Sequence, residues 1–332
     1  MAATPHPAES ETSRRIVIVA GPGRSGTSSF AGTLKRLGLH VPEPEIQPNA
    51  TNPSGFYEPR WVVDFHNRLL DRAAVRTLDQ SPDARARAER IGAKPGVRKK
   101  LHSWLGEALE QAPQLIIKDP RTTWFSQLWV EIAGEHGISP GFVTMLRHPA
   151  EVSGSRQTYY GKDTSGAERR ADDIVRIGGW INVALGAEQV SRGSGRSFVP
   201  YTDLVADWRT TMTRVGKDLD LSYAPGVELE PHPVDEFIDP DLRRIRIDWE
   251  DVDIPDNLRD IGERAWQSLS RLAGDDPDDA DAVAAVTAVA EDYAELQADA
   301  SALNRHEVWR TKIETRRRAE KAAAKSGGSA DG

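Results

Sequence analysis

The hydrophobic residues of this chain follow two alternating periods. Short unbroken apolar runs of strand length stand at Ile16-Val17-Ile18-Val19, Leu115-Ile116-Ile117, Phe142-Val143-Thr144-Met145-Leu146 and Ser197-Phe198-Val199. Between them, apolar side chains recur three and four residues apart, as on one face of a helix. Phe30, Leu34 and Leu37 form one such stripe; Trp61, Phe65 and Leu69 form a second. Val97, Leu101, Trp104, Leu105 and Leu109 form a third, and Phe125, Leu128, Trp129 and Ile132 a fourth. A helix start is predicted at 150–160, a helix around Trp180 within 167–191, and one helix carrying Leu204, Trp208, Met212, Val215 and Leu219. Strands alternating with amphipathic helices predict a three-layer α/β fold, with a mostly parallel central sheet flanked by helices on both faces.

Elsewhere the pattern changes. Residues 1–13 are polar and read as a disordered N-terminus. The stretch 41–55 is Pro-rich and irregular, and 73–96 is polar and Arg/Ala-rich with no clear period. One domain is expected over 14–315, with a core at 14–222 and a loop and helical C-terminal part at 223–315. That part opens with a loop-rich region, 223–256, containing Arg243, Arg244 and Arg246. Two helical stripes follow, from Leu258 to Leu272 and from Val286 to Leu296. Residues 316–332 are charged and Ala/Gly-rich and read as a flexible tail.

Composition narrows the picture. The 332 residues carry a net charge of −8, which argues against a nucleic-acid surface, so an anionic ligand would need a local cluster of Arg and Lys. There is no Cys, which removes disulfides, thiolate metal sites and Cys nucleophiles and fits a reducing compartment. The eight His show no paired ligand spacing, and the acidic run Asp275–Asp281 lacks the Gly and terminal Glu of a calcium loop. That run reads as the acidic start of a helix, and no metal is expected. No apolar run reaches membrane-spanning length, so the expectation is a cytoplasmic protein with no integral membrane association.

The chemistry concentrates where the apolar runs end. The first runs into Gly21-Pro22-Gly23-Arg24-Ser25-Gly26-Thr27-Ser28-Ser29, a Gly-rich turn followed at once by a helix. Strand, Gly-rich loop and helix N-terminus together present backbone N–H groups to an anion. Gly21 and Gly26 have the spacing of a P-loop, but Thr27 stands where its Lys belongs, and the cation has moved to Arg24. A kinase uses that Lys on the β/γ-phosphates, so its loss weighs against nucleoside triphosphate chemistry. A tight turn without a ligand is the plainer reading, but three glycines, an Arg and four hydroxyls exceed what a turn needs. The next two runs end in Lys118-Asp119-Pro120-Arg121 and Arg147-His148-Pro149. In open α/β sheets ligands bind beyond the carboxyl ends of the strands, so these three endings should converge on one anion site.

Four stretches together resemble the sulfotransferases that use 3′-phosphoadenosine 5′-phosphosulfate (PAPS), in their bacterial branch. The Gly21–Ser28 loop resembles the family's 5′-phosphosulfate loop. Arg147, with Ser155 eight residues on, resembles its 3′-phosphate motif. Asn52-Pro53-Ser54-Gly55-Phe56-Tyr57-Glu58 resembles the acidic motif that opens the second helix in that branch, and Tyr201-Thr202-Asp203-Leu204 the step after the last sheet strand. The resemblance spans roughly residues 15–220. It implies a P-loop-like fold, PAPS as co-substrate without a metal, and transfer of a sulfuryl group to a hydroxyl of a small-molecule, lipid or carbohydrate acceptor. One departure stands out: Pro120 occupies the position at which the best-known cytosolic members carry a catalytic His.

On that resemblance, Gly23, Arg24, Ser25, Gly26, Thr27, Ser28 and Ser29 hold the phosphosulfate, and Arg147 and Ser155 hold the 3′-phosphate. Glu58 is the general base, with helix capping beside Pro59 as its plainer role. Lys118 stabilises the sulfuryl oxygens, or else pairs with Asp119. Arg24 sits on the phosphate or the bridging oxygen. Arg121 is evenly balanced between function and surface, His148 reads as a strand-end residue, and Arg243, Arg244 and Arg246 as a loop over the cofactor or a solvated charge run. Phe56, Tyr57, Tyr159 and Tyr160 line the acceptor site or belong to the core. The rival readings are a P-loop kinase of a small metabolite and a non-catalytic nucleotide-binding protein.

Overall fold

The computed structural model describes residues 13–160, 166–238 and 247–327, and the side chains within them except those of 156–160 and 322–327. Arg243, Arg244 and Arg246, and the side chains of Tyr159 and Tyr160, therefore lie outside what is described.

Four strands form one parallel sheet: β1 (Arg15–Ala20), β2 (Gln114–Lys118), β3 (Gly141–Leu146) and β4 (Arg196–Pro200), in the order β2-β1-β3-β4. Ile18 faces Ile117 on β2 and Phe142 on β3, and Thr144 faces Phe198 on β4. The alternation of side chains along β1 sorts the core. Ile16 and Ile18 point to one face, and Val17 and Val19 to the other.

On the face of Val17 and Val19 lie α1 (Thr27–Arg36), α8 (Tyr201–Ala206) and α9 (Trp208–Leu219). On the face of Ile16 and Ile18 lie α2 (Arg60–Ala73), α3 (Ala84–Gly92), α4 (Pro95–Gln111) and α5 (Ser126–Glu135). A third cluster joins Leu146 and Phe198 to α6 (Pro149–Tyr160), α7 (Ala167–Ser191), α10 (Asp256–Arg271) and α11 (Ala280–Leu303). The helical C-terminal part thus packs on the β3–β4 side. No helix among the described residues is long and apolar enough to cross a membrane.

The structure departs from the pattern reading in four places. The polar stretch 73–96 holds α3, whose small buried face is Ala84, Ala88 and Gly92, too short and too light in large side chains to show a period. The helix expected from Leu204 to Leu219 is two helices, because Asp207 is extended (φ −151°, ψ 87°) and its carboxylate accepts from the Thr210 backbone N–H to cap the second. Phe125 belongs to a 3-10 turn, Pro120–Phe125, that precedes α5. Finally, α12 (Arg305–Gly327) runs through Arg316, where the sequence places a frayed tail. Its Ala, Glu, Lys and Arg residues are strong helix formers, which carry an exposed helix that has little apolar periodicity. In the acidic run, Asp279 caps α11 by accepting from the Ala282 N–H.

Candidate active site

β1 and β3 are neighbours whose following connections leave in opposite directions, β1 toward β2 and β3 toward β4. A crevice opens at the carboxyl end of such a pair. Here it is a cavity of about 450 Å³. Its walls bring together Gly23, Arg24, Gly26, Thr27, Ser28 and Ser29 from the loop after β1, and Lys118 and Arg121 from the end of β2. Arg147 and Ser155 join them from the end of β3 and α6, as do Glu58 and the segment Thr51–Ser54.

The Gly-rich loop is shaped by close contacts that allow no side chain at two points. A Cβ on Gly26 (φ +88°) would lie 2.2 Å from the Tyr201 ring. One on Gly21 (φ +101°) would lie 3.1 Å from the Met145 carbonyl oxygen of β3. Arg24, between them, holds a left-handed backbone (φ 75°), a strained position for a residue with a side chain. Ser25 is wholly buried, and its Oγ has no hydrogen-bond partner. A buried hydroxyl without a partner is rare. Ser25 is not among the residues that line the cavity, unlike the other loop residues expected to hold the phosphosulfate.

Lys118 and Glu58, both lining the cavity, form a buried ion pair, Nζ to Oε1 at 2.5 Å. The Lys118 ammonium also donates to Ser28 Oγ at 3.3 Å. Asn52 Nδ2 donates to the same Ser28 hydroxyl at 3.1 Å and to the Gly55 carbonyl at 2.6 Å, tying the acidic motif to the loop. Burial pushes the Glu58 carboxyl above its ordinary pKa; Lys118 opposes this, and the nearby Asp119 charge adds to it. Lys118 therefore does not pair with Asp119, the partner weighed for it from sequence. That carboxylate is turned inward instead.

Asp119 has no exposed surface. One oxygen accepts from His66 Nδ1 at 2.8 Å. The other accepts from the Arg121 backbone N–H at 3.1 Å and from Arg121 Nη1 at 2.6 Å. The Trp129 indole N–H donates to His66 Nε2 at 3.1 Å, so the ring proton sits on Nδ1 and is given to Asp119. Burial pushes the Asp119 carboxyl up, but the His66 hydrogen bond and the Arg121 charge outweigh it and hold its pKa at about 2.

On the β3 side, Arg147 Nε donates to Glu151 at 2.9 Å and its Nη1 to the Arg24 carbonyl at 3.3 Å. Arg24 Nε donates to Ser155 Oγ at 3.2 Å. The two residues read as a 3′-phosphate pair thus stand in the same cavity, each with a neighbour from the chain: Glu151 for Arg147 and Arg24 for Ser155. The Arg147 guanidinium lies 5.1 Å from the Tyr201 ring centroid. Burial raises the Tyr201 pKa, and the charge of Arg147 and a hydrogen bond with Ser29 temper the shift.

Of the aromatics, Phe56 lines the cavity. Tyr57 is nearly buried, edge-on to Phe237 at 5.9 Å. His148 is a half-buried strand-end residue between Trp249 and Trp266. Sequence reasoning missed His66 and Trp129 as parts of the site, since each sits in an apolar helical stripe and reads as core. Tyr201 was visible only as part of a motif. Among the described residues no group of three His, Asp or Glu side chains could hold a metal ion.

Two solved structures to which the chain is similar are both sulfotransferase domains. One is from the Synechococcus PCC 7002 olefin synthase, at 15% identity and a TM-score of 0.45, covering 79% of this chain and 96% of that one. The other is from the curacin biosynthetic pathway, at 17% identity and a TM-score of 0.42, covering 77% and 98%. Both likenesses are distant. No family model matches the chain. No curated protein matches it.

Proposed function

We propose that this protein transfers a sulfuryl group from PAPS to a hydroxyl of a small-molecule, lipid or carbohydrate acceptor. The observation that carries the reading is the buried Glu58–Lys118 pair set against the Gly-rich loop, with Lys118 bonded to the loop's Ser28. It supports the reading because a carboxylate and a cation stand beside a Gly-rich loop that lacks the P-loop Lys.

In this reading the loop amides of Ser25 to Ser29 and the start of α1 hold the 5′-phosphosulfate. Arg147 and Ser155 hold the 3′-phosphate. Glu58 takes the proton of the acceptor hydroxyl. The acceptor oxygen bonds to sulfur as the bond from sulfur to the bridging oxygen breaks, and that electron pair leaves on the phosphate of 3′-phosphoadenosine 5′-phosphate (PAP). Lys118 and Arg24 stabilise the charge that moves through the transferring group. A pKa raised by burial suits Glu58 to proton abstraction, because a better base is a more effective one near neutral pH.

The kinase reading keeps the same cavity but requires ATP with magnesium, and a non-catalytic reading keeps PAP binding without transfer. Thermal stabilisation by PAP, set beside ATP plus magnesium, in wild type and Arg147→Ala, separates them, because a ligand specific for the folded state raises its stability. PAP is expected to stabilise the wild type and to do so much less in Arg147→Ala. A larger shift with ATP and magnesium, or an equal PAP shift in the variant, rules the reading out. Transfer of labelled sulfate from PAPS to an acceptor extract then distinguishes enzyme from binding protein.

A further inference from the structure

Arg121 shares the cavity with Glu58 and Lys118, yet it is held from outside it. Its Nη1 and its backbone N–H both rest on one oxygen of Asp119. The other oxygen rests on His66, and His66 on Trp129. Asp119, His66 and Trp129 are wholly buried, and Phe125 stacks on the His66 ring at 5.1 Å. Three elements, α2, the 3-10 turn and α5, are joined in fixing one guanidinium at the cavity wall. Burying polar side chains is costly unless each is paired, and these pair end to end. A staple between α2 and α5 needs only His66 and Trp129. The second Asp119 oxygen also caps the 3-10 turn through the Arg121 backbone N–H, but that cap does not need the further bond to Nη1, which aims a guanidinium whose Nε is buried without a partner.

The sheet order places Arg121 on a particular flank. It follows β2, whereas Arg147 and Ser155 follow β3, on the other side of the Gly-rich loop. Thr77 also lines the cavity, and its carbonyl accepts from Trp124 of the same 3-10 turn. If the β3 flank takes the nucleotide's 3′-phosphate, the β2 flank is left for the acceptor. A guanidinium that has given one Nη to a carboxylate still has donors for an oxyanion, in a fork that matches carboxylate and phosphate.

We infer that Arg121 is an acceptor-binding residue that reads an anionic group set beside the acceptor's hydroxyl, and that Asp119, His66 and Trp129 are its positioning residues. This rests on the sulfuryl-transfer reading of the cavity. It narrows the acceptor class to hydroxyl compounds bearing a carboxylate, phosphate or sulfate.

The test uses the whole chain saturated with PAP, and matched probes: phenol against 4-hydroxybenzoate, and glucose against glucose 6-phosphate. The readout is the thermal shift each adds beyond PAP. At least one anionic probe should add a shift that its neutral partner does not. In Arg121→Gln the PAP shift should remain, and the affinity for the anionic probe should fall by about ten- to a hundredfold. His66→Asn, whose amide N–H can stand where Nδ1–H stood, should keep more of the probe shift than His66→Leu. A merely structural role would lower the baseline melting temperature of both and leave the increment from the probe unchanged. Equal shifts with neutral probes, no shift with any anionic probe, or a probe shift retained in Arg121→Gln overturns the inference. So does loss of the PAP shift in Arg121→Gln, which would assign Arg121 to the nucleotide. Absence of a PAP shift in the wild type sinks the sulfuryl-transfer reading itself.

Discussion

The two flanks of the cavity are built differently. On the β2 flank the charged groups are paired inside the protein: Lys118 with Glu58 at 2.5 Å, and Asp119 between His66 and Arg121. On the loop flank, Ser25 Oγ is buried without a partner and Arg24 holds a left-handed backbone. The first flank is organised before any ligand arrives, which suits groups that must be aimed at a reacting atom. The second holds a strained turn at Arg24, which the contacts of a bound anion would offset. In the proposed reading, proton transfer belongs to the first flank and cofactor capture chiefly to the second.

The largest expected effect is on the organised flank. Glu58→Gln keeps the shape and removes the proposed base. Transfer from PAPS should fall by about 10²–10⁴, while stabilisation by PAP stays near that of the wild type. Full transfer in the variant would put the base elsewhere. The acidic limb of the wild-type rate profile should lie above the ordinary Glu range, as burial raises the Glu58 pKa.

Next in size is Lys118→Met, which leaves Glu58 buried without its cation. Breaking a buried pair from one side costs about 3–5 kcal/mol, measured by urea denaturation at neutral pH. Protonating Glu58 relieves it, so the deficit should shrink as the pH falls. The double variant Lys118→Met, Glu58→Gln should recover most of the loss. If the single variant is as stable as the wild type, the pair is not what organises this flank.

On the loop flank, Gly26→Ala places a Cβ 2.2 Å from the Tyr201 ring at a backbone φ of +88°. The strain is of the order of 1–3 kcal/mol. It should appear chiefly as weakened PAP binding in calorimetry, with the Glu58–Lys118 flank intact. A variant that binds PAP normally would show that the loop is not the cradle.

The same contrast decides what could be read from the sequence. The sheet, its parallel sense and the two covering layers follow from period alone, because Ile16 to Val19 and their counterparts are buried on both faces. The loop flank was legible too, since glycines, hydroxyls and an Arg lie within nine consecutive residues. The organised flank was only half legible. Glu58 and Lys118 could each be singled out, but not their pairing, because 60 positions separate them. His66 and Trp129 were invisible: both obey the helical spacing of a core stripe, and only the fold brings them to Asp119. The helix α3 escaped because alanines and a glycine form its buried face.

The electrostatics of the organised flank can be tested directly, because its two carboxylates are shifted in opposite directions. Burial pushes Asp119 up, but His66 and Arg121 hold its pKa at about 2. Its lowered value contributes stability that is complete above the unfolded pKa of about 3.9 and is lost as the pH falls through 2, worth about 2–3 kcal/mol. Glu58 runs the other way. Its raised value contributes stability that is complete below the unfolded pKa of about 4.3 and is lost as the pH rises through the folded one. The stability advantage of wild type over Asp119→Asn should therefore decline as the pH falls from 5 to 2. Its advantage over Glu58→Gln should decline as the pH rises from 4. Both gaps are read from urea midpoints across that range. A gap for Asp119→Asn that stays flat would mean that Asp119 is not held ionised by His66 and Arg121, and the chain that fixes Arg121 would lose its charged link.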